Sequence, residues 1–332
     1  MKRPTGKIGI SAAGASLVFF CSTLAAQTSS PGTVTTDSVP GRYAREIVAQ
    51  GHTWTYHVHV PRVAERSDRL PLVLVLHGSG GEGSRYLDLA GWAEKSETAG
   101  FIVVAPDALP AKPWSPPQFF ANPRIWNAGQ QAADRPRSRI DDAAFIRALL
   151  DDLAGRHAID LRRVYVVGHS NGGSLAFRLA CELPGRFAAM AVVASHCYIE
   201  HPRPSEPVPT LFLVGDRDPI MPMEGGLAPL PWEIRRRVPP VAQTLSTWAA
   251  GLGIDPRTRK LVRETAAATV YQYTKERRDG AAADLVAVII RDQGHGWPGG
   301  RGLLWERALG PNAETVKATD LAWEFFARSA RP

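Results

Sequence analysis

Six short stretches each hold a continuous apolar run: LPLVLVLHG (70–78), GFIVVAPD (100–107), RVYVVG (163–168), FAAMAVVA (187–194), TLFLVG (210–215) and LVAVIIRD (285–292). They are rich in Val, Leu and Ile and do not alternate with polar residues. A strand of that composition must be covered on both faces. Between them lie segments of helical periodicity. IDDAAFIRALLDDLAGRH (140–157) carries acids in its first turn, GSLAFRLACEL (173–183) follows a glycine, and 239–253 and 315–329 read as two further helices. Buried strands alternating with helices specify an α/β fold with a mainly parallel sheet between two helical layers. With 332 residues, 44% of them hydrophobic, the chain can fill one large core of this kind. TWTYHVHV (53–60) alternates instead, as a half-exposed strand does.

In such sheets ligands bind beyond the carboxyl ends of the strands, so the loops there carry the chemistry. RVYVVG runs into HSNGG, placing Gly168-His169-Ser170-Asn171-Gly172 at a strand-to-helix junction. A sharp turn at that junction strains the serine backbone and leaves no room for flanking side chains, which is why glycines surround it. Ser170 is thereby a candidate nucleophile. The N–H of Asn171 lies where a helix start favours an anion.

A serine needs a base, and the base needs an orienting acid. In this chain order the acid follows the serine and the base comes last. Of the histidines after Ser170, His295 in IIRDQGHGWPGG follows a buried strand and is flanked by glycines; His196 and His201 precede the candidate acid and read as loop histidines. In LFLVGDRDPIMP, Asp218 sits further out on the loop and is assigned as the acid, with Asp216 structuring the turn. Asp141 and Asp142 are explained by a helix N-terminus. A second oxyanion donor is expected from LHGSGG, from the backbone N–H of Ser79 or of the neighbouring Gly80.

With these residues placed, the chain resembles the secreted polyhydroxybutyrate depolymerase-like esterases, the α/β-hydrolase group that includes feruloyl and acetyl-xylan esterases. The resemblance runs from about Val60 to Phe326 and rests on PLVLVLHGSGG, GFIVVAPD, IDDAAFI, VYVVGHSNGGSLAFRLACEL, GDRDPIMP, GHGWPGG and ATDLAWEFF. It implies an α/β-hydrolase fold, an esterase activity, and Ser170, Asp218 and His295 in the roles already assigned. Hydrolysis of hydroxyalkanoate oligomers, feruloyl esters or acetyl esters is the expected reaction, with soluble esters or oligomers favoured over solid polymer. A peptidase, a thioesterase or a non-catalytic binding protein on the same fold are the alternatives. Two stretches, 195–207 and 223–240, match no pattern of the group, and both follow strand ends where a substrate pocket forms. Trp297 is expected to wall the acyl pocket and Trp126 to sit near its rim.

The remaining expectations concern location and partners. MKRPTGK followed by an apolar, small-residue run ending in TLAAQ predicts a signal peptide over 1–26, cleaved after Ala25 or Ala26. Lipidation of Cys21 or a membrane anchor fits less well. Residues 27–45 are expected to be a flexible lead-in and 46–332 one catalytic domain, secreted or periplasmic. Loss of Lys2, Arg3 and Lys7 lowers the formal charge from +7 to +4. Dispersed arginines at that charge give no nucleic-acid groove, and no later stretch is long enough to span a membrane. His57 and His59 read as a plain strand face, no Cys/His spacing suits a metal, and no cofactor is expected. Cys181, some ten residues down a helix that begins at the sheet top, is expected about 15 Å below Cys197, so no disulfide is predicted.

Overall fold

A computed structural model describes residues 39–66, 69–130, 134–230, 233–275, 285–301 and 306–331. The predicted signal peptide lies outside them. Each of the six apolar runs forms a strand: β3 (Leu70–Leu76), β4 (Ile102–Pro106), β5 (Ile159–His169), β6 (Ala189–Val193), β7 (Thr210–Gly215) and β12 (Leu285–Ile290). These are mutually parallel in the order β4-β3-β5-β6-β7-β12. Antiparallel strands extend both margins. β1 (Gly41–Ala49) and β2 (His52–Val60) lie beside β4, and β11 (Ala268–Tyr273) and β10 (Lys260–Glu264) lie beside β12, completing ten strands. The lead-in therefore ends earlier than expected: β1 begins at Gly41, where a flexible segment to residue 45 was anticipated.

Burial of the parallel strands on both faces follows from their side-chain alternation. On β3, Leu72, Leu74 and Leu76 join one core and Val73 and Val75 the other. The leucine face is covered by α3 (Asp142–Arg156), α4 (Asn171–Glu182) and α5 (Val241–Gly251), through Phe145, Phe177 and Trp248 among others. The valine face is covered by α1 (Gly83–Leu89), α2 (Trp92–Ala99) and α7 (Ala318–Phe326), through Tyr86, Trp92 and Phe326. A short α6 (Glu306–Leu309) precedes α7, and β8 (Gly226–Leu230) pairs with β9 (Glu233–Val238) as a separate hairpin. Among the described residues no helix is long and apolar enough to cross a membrane.

Chain order reverses at β3. The chain steps outward from β3 to β4, then returns to place β5 on the other side of β3. Neighbouring loops diverge at such a switch point and leave a crevice at the strand ends. The loops after β3 and β5, carrying Ser79 and Ser170, flank it.

The readings of three residues change: His57, His59 and Asp142. His57 and His59 are not a plain exposed face. Their rings are largely covered, with Nε2 of His59 3.0 Å from Glu97 and Nε2 of His57 3.7 Å from Asp107. Asp141 does cap α3, accepting from the N–H groups of Ala143 and Ala144, but Asp142 forms a fully buried ion pair with Arg137 at 2.7 Å. Cys181 and Cys197 are both free thiols. Burial raises the pKa of both thiols, that of Cys197 to about 12.

Candidate active site

The nucleophile elbow is built from steric necessity. Ser170 has φ +51° and ψ −123°, a conformation a residue with a side chain adopts only when its surroundings force it. The forcing comes from close packing of α4 on the ends of β3 and β5. A Cβ on Gly172 would lie 2.6 Å from the His77 carbonyl and overlap that of Leu76, and one on Gly173 would lie 2.7 Å from the Ser195 side chain. The elbow is then pinned by hydrogen bonds. Ser170 N–H donates to the Val193 carbonyl at 2.9 Å, and the Ser195 hydroxyl donates to the Ser170 carbonyl at 2.6 Å.

His295 lies with Nε2 2.9 Å from the Ser170 hydroxyl and Nδ1 2.7 Å from Oδ2 of Asp218. The two residues are 125 and 77 positions away in sequence. Asp218 is buried, and its other oxygen accepts from the N–H groups of Ile220 and Met221, both at 2.8 Å. Every acceptor of that carboxylate is thus directed, so it can orient an Nδ1–H tautomer of His295. Asp216 binds the N–H of Asp292 at 2.8 Å and ties the β7 loop to the end of β12, as expected of a turn residue. The base loop is held from behind by buried Gln293. Its amide donates to the carbonyls of Gly294 and Gly296, and its oxygen accepts from Ala313 N–H.

Beside Ser170, a Cβ on Gly78 would come within 3.2 Å of the serine Cβ, so the loop after β3 touches the elbow. Gly80 N–H is taken by the Arg124 carbonyl at 2.8 Å. The N–H groups of Ser79 and Asn171 have no hydrogen-bond partner among the described residues. Of the two donors the sequence left open, Ser79 is the one available.

The tryptophans are not where expected. Trp126 has no exposed surface. Its indole N–H donates to the His77 carbonyl, and its backbone is clamped at two points by the Asn171 side chain, at 2.6 and 3.0 Å. It braces the elbow from beneath. Trp297 is 2% exposed, packs edge-on to Tyr86, Trp92 and His169, and donates to Thr319. Each is a core residue behind the site.

Two buried histidines that sequence reasoning passed over support the same loops. His77 bonds the Gly78 carbonyl through Nδ1 and accepts from Ala108 N–H through Nε2; burial holds its pKa down to about 4. His169 donates from Nε2 to the His295 carbonyl at 2.6 Å and accepts the Tyr86 hydroxyl at Nδ1, and burial, aided by His295 nearby, pulls its pKa down to about 3. Both are neutral at ordinary pH. Position x in G-x-S-x-G was the available signal for His169. Tyr86 had none, lying 83 residues from its partner. Asp107, ending GFIVVAPD, is a structural carboxylate: burial works to raise its pKa, but His57, the N–H of Gly83 and Arg124 outweigh it and hold it low. Among the described residues no cluster of His, Cys, Asp or Glu could hold a metal ion.

The family profile described as alpha/beta hydrolase fold matches residues 71–208. That span contains the β3 loop, the elbow and the strands that carry them. The chain has the α/β-hydrolase fold. The chain is 29% identical over 296 residues to NocK of Nocardia uniformis subsp. tsuyamanensis, a protein bearing an esterase name; the match covers 85% of this chain and 82% of NocK. It is 29% identical over 128 residues to poly(3-hydroxyalkanoate) depolymerase C of Paucimonas lemoignei, covering 39% of this chain and 28% of that one. Among solved structures, the acetyl xylan esterase from Aspergillus awamori superposes with a TM-score of 0.57 at 16% identity, over 86% of this chain and 99% of that one.

Proposed function

We propose that this protein is a serine esterase that hydrolyses carboxylic esters through an acyl-enzyme. The observation that carries the reading is His295, bonded on one side to the Ser170 hydroxyl and on the other to Asp218. Relatives named as an esterase and a poly(3-hydroxyalkanoate) depolymerase support the same class.

Ser170 Oγ attacks the ester carbonyl while His295 Nε2 takes the hydroxyl proton. Asp218 keeps the ring in its Nδ1–H form and stabilises the imidazolium. The carbonyl oxygen becomes an oxyanion facing the N–H groups of Ser79 and Asn171, each worth about 3 kcal/mol to the transition state. His295 returns the proton to the departing alcohol oxygen. A water then gives a proton to His295 and attacks the acyl carbon; as the acyl–Oγ bond breaks, His295 returns that proton to Ser170 Oγ, releasing the acid and free Ser170. The expected substrates are soluble hydroxyalkanoate oligomers, feruloyl esters or acetyl esters, met outside the cytoplasm after the signal peptide is removed.

Purified Ser170→Ala should lose p-nitrophenyl acetate hydrolysis by at least about 1,000-fold with an unchanged circular dichroism spectrum. A fluorophosphonate should label the wild type and not the variant. Full turnover by the variant would mean that another nucleophile does the work.

A further inference from the structure

The two stretches that fit no pattern of the esterase group, 195–207 and 223–240, meet each other beside the triad. The guanidinium of Arg236, on β9 of the hairpin, lies over the Tyr198 ring at 4.9 Å, and that ring is 6.1 Å from the His196 ring. Both ends of this stack lead to the nucleophile. His196 directly follows Ser195, whose hydroxyl holds the Ser170 carbonyl, and the charges of Asp218, His295 and Arg236 all act on it. On the other side, Nη2 of Arg236 donates to the Gln130 carbonyl at 3.3 Å. Gln130 in turn donates to the Trp126 carbonyl, which Asn171 also grips.

Two polar groups in this stack are left over. Arg236 is half-buried and has no carboxylate within ion-pair distance among the described residues; its only polar contact there is that one carbonyl. His196 is 4% exposed and bonds Thr244 through Nδ1 at 2.9 Å, yet its Nε2 is buried without a partner. The unpaired buried imidazole nitrogen is costly alone, and the guanidinium carries a charge that no carboxylate of the described residues offsets. When the Thr244 hydroxyl donates to Nδ1, the His196 proton sits on Nε2 and the ring is a donor. One anion in reach of both would satisfy both, and a carboxylate matches the planar fork of arginine.

We infer that Arg236 and His196 form a subsite for a carboxylate carried by the ester substrate. The inference rests on the esterase reading and names the class of ester: one with an acid group on the acyl or the alcohol side. Burial holds the His196 pKa down to about 4, so at neutral pH it contributes an N–H and Arg236 supplies the charge. The Tyr198 ring lies beneath the guanidinium and supports its charge.

The test compares esters that differ only in carboxylate against carboxamide. Monomethyl terephthalate with methyl 4-carbamoylbenzoate places the charge on the acyl side. 4-Carboxyphenyl acetate with 4-carbamoylphenyl acetate places it on the alcohol side. The ratio of kcat/KM within each pair cancels general loss of activity. In at least one pair the ratio should fall about tenfold or more in Arg236→Gln, fall less in Arg236→Lys, and fall furthest in Arg236→Glu. Raising salt should lower it in the wild type and leave it flat in Arg236→Gln. Wild-type hydrolysis of both members with a ratio unmoved by all three variants overturns the subsite and leaves the esterase reading standing. If the wild type hydrolyses neither these esters nor p-nitrophenyl acetate, the esterase reading itself fails.

Discussion

Nε2 of His169 donates a hydrogen bond to the backbone carbonyl of His295, so the residue beside Ser170 holds the histidine whose ring is bonded to the Ser170 hydroxyl. The connection continues outward. The Tyr86 hydroxyl occupies Nδ1 of His169. One buried line of hydrogen bonds thus joins α1, the elbow and the base loop. Tyr86 fixes the tautomer, because a phenol that donates to Nδ1 leaves the proton on Nε2, where the His295 carbonyl needs it. The rings of His169 and His295 are 5.2 Å apart. A neutral His169 is therefore required if His295 is to accept a proton without repulsion.

Tyr86→Phe removes the phenol and keeps the ring packing. The base loop then loses its fixed partner, and His295 samples positions away from Ser170. For p-nitrophenyl acetate, kcat should fall by about 10- to 100-fold with KM within twofold, since misplacement by an ångström costs that much. A purely structural role for the hydroxyl would instead lower the melting temperature and leave kcat unchanged in the folded fraction.

The glycines of the elbow and those of the helices should respond oppositely to alanine. Gly172→Ala drives a methyl group into the Leu76 and His77 carbonyls, backbone atoms that cannot move without parting β3 from α4. It should cost more than about 3 kcal/mol or prevent folding. Gly155, exposed near the end of α3, has nothing within 4 Å of an added Cβ. Gly155→Ala should stabilise the protein by about 0.5–1 kcal/mol in urea denaturation. Equal effects at the two positions would contradict the packing described at the elbow.

This contrast also explains what could be read in the amino-acid sequence. Ser170, Asp218 and His295 were legible because each sits at a strand end where backbone geometry restricts the residue types: glycines at the elbow and base loop, a proline after the acid. The parallel strands were legible because two-sided burial leaves each of them an unbroken apolar run. β1 was not, since GRYAREIVA alternates between half-buried and exposed at the sheet margin, and its preceding Ser/Thr/Pro-rich stretch suggested a lead-in. α1 and α2 were hidden by their shortness and by a break at Gly91, which takes a left-handed φ of +70°. Trp126 and Trp297 show the limit from another side. Nearness in sequence to a functional residue does not say which side of the loop a ring occupies, and both turned inward to the cores.

Three buried histidines make folding stability depend on pH. His77, His169 and His196 have values depressed to about 4, 3 and 4, in each case chiefly by burial. In the unfolded chain they titrate near the ordinary value of about 6.5. As pH falls below that value the unfolded state binds protons the folded state refuses, so stability is lost. The loss begins near pH 6.5 and continues to about pH 4, at up to about 1.4 kcal/mol per pH unit for each histidine. Urea denaturation at pH 7, 6 and 5 should show the decline, and His169→Gln should reduce its slope by about one proton. A slope unaffected by that substitution would mean His169 is protonated in the native protein.

The Arg137–Asp142 pair couples stability to the floor of the site. Both side chains are almost fully buried, Nη2 of Arg137 reaches both carboxylate oxygens at 2.7 Å, and Arg137 Nε holds the Ile125 carbonyl beside Trp126. Burial raises the pKa of Asp142 and the arginine opposes that rise. Removing the arginine strands a carboxylate in the core. Arg137→Ala should cost about 3–5 kcal/mol at pH 7. The same variant should lose less at pH 5, because an acid whose folded pKa is raised gains relative stability as it protonates. Arg137→Met with Asp142→Leu, which removes both charges and keeps volume, should cost less than Arg137→Ala alone. If the double variant is instead the less stable of the two, directed hydrogen bonds to Ile125 and Asn127, and not desolvation of the charges, govern this corner of the fold.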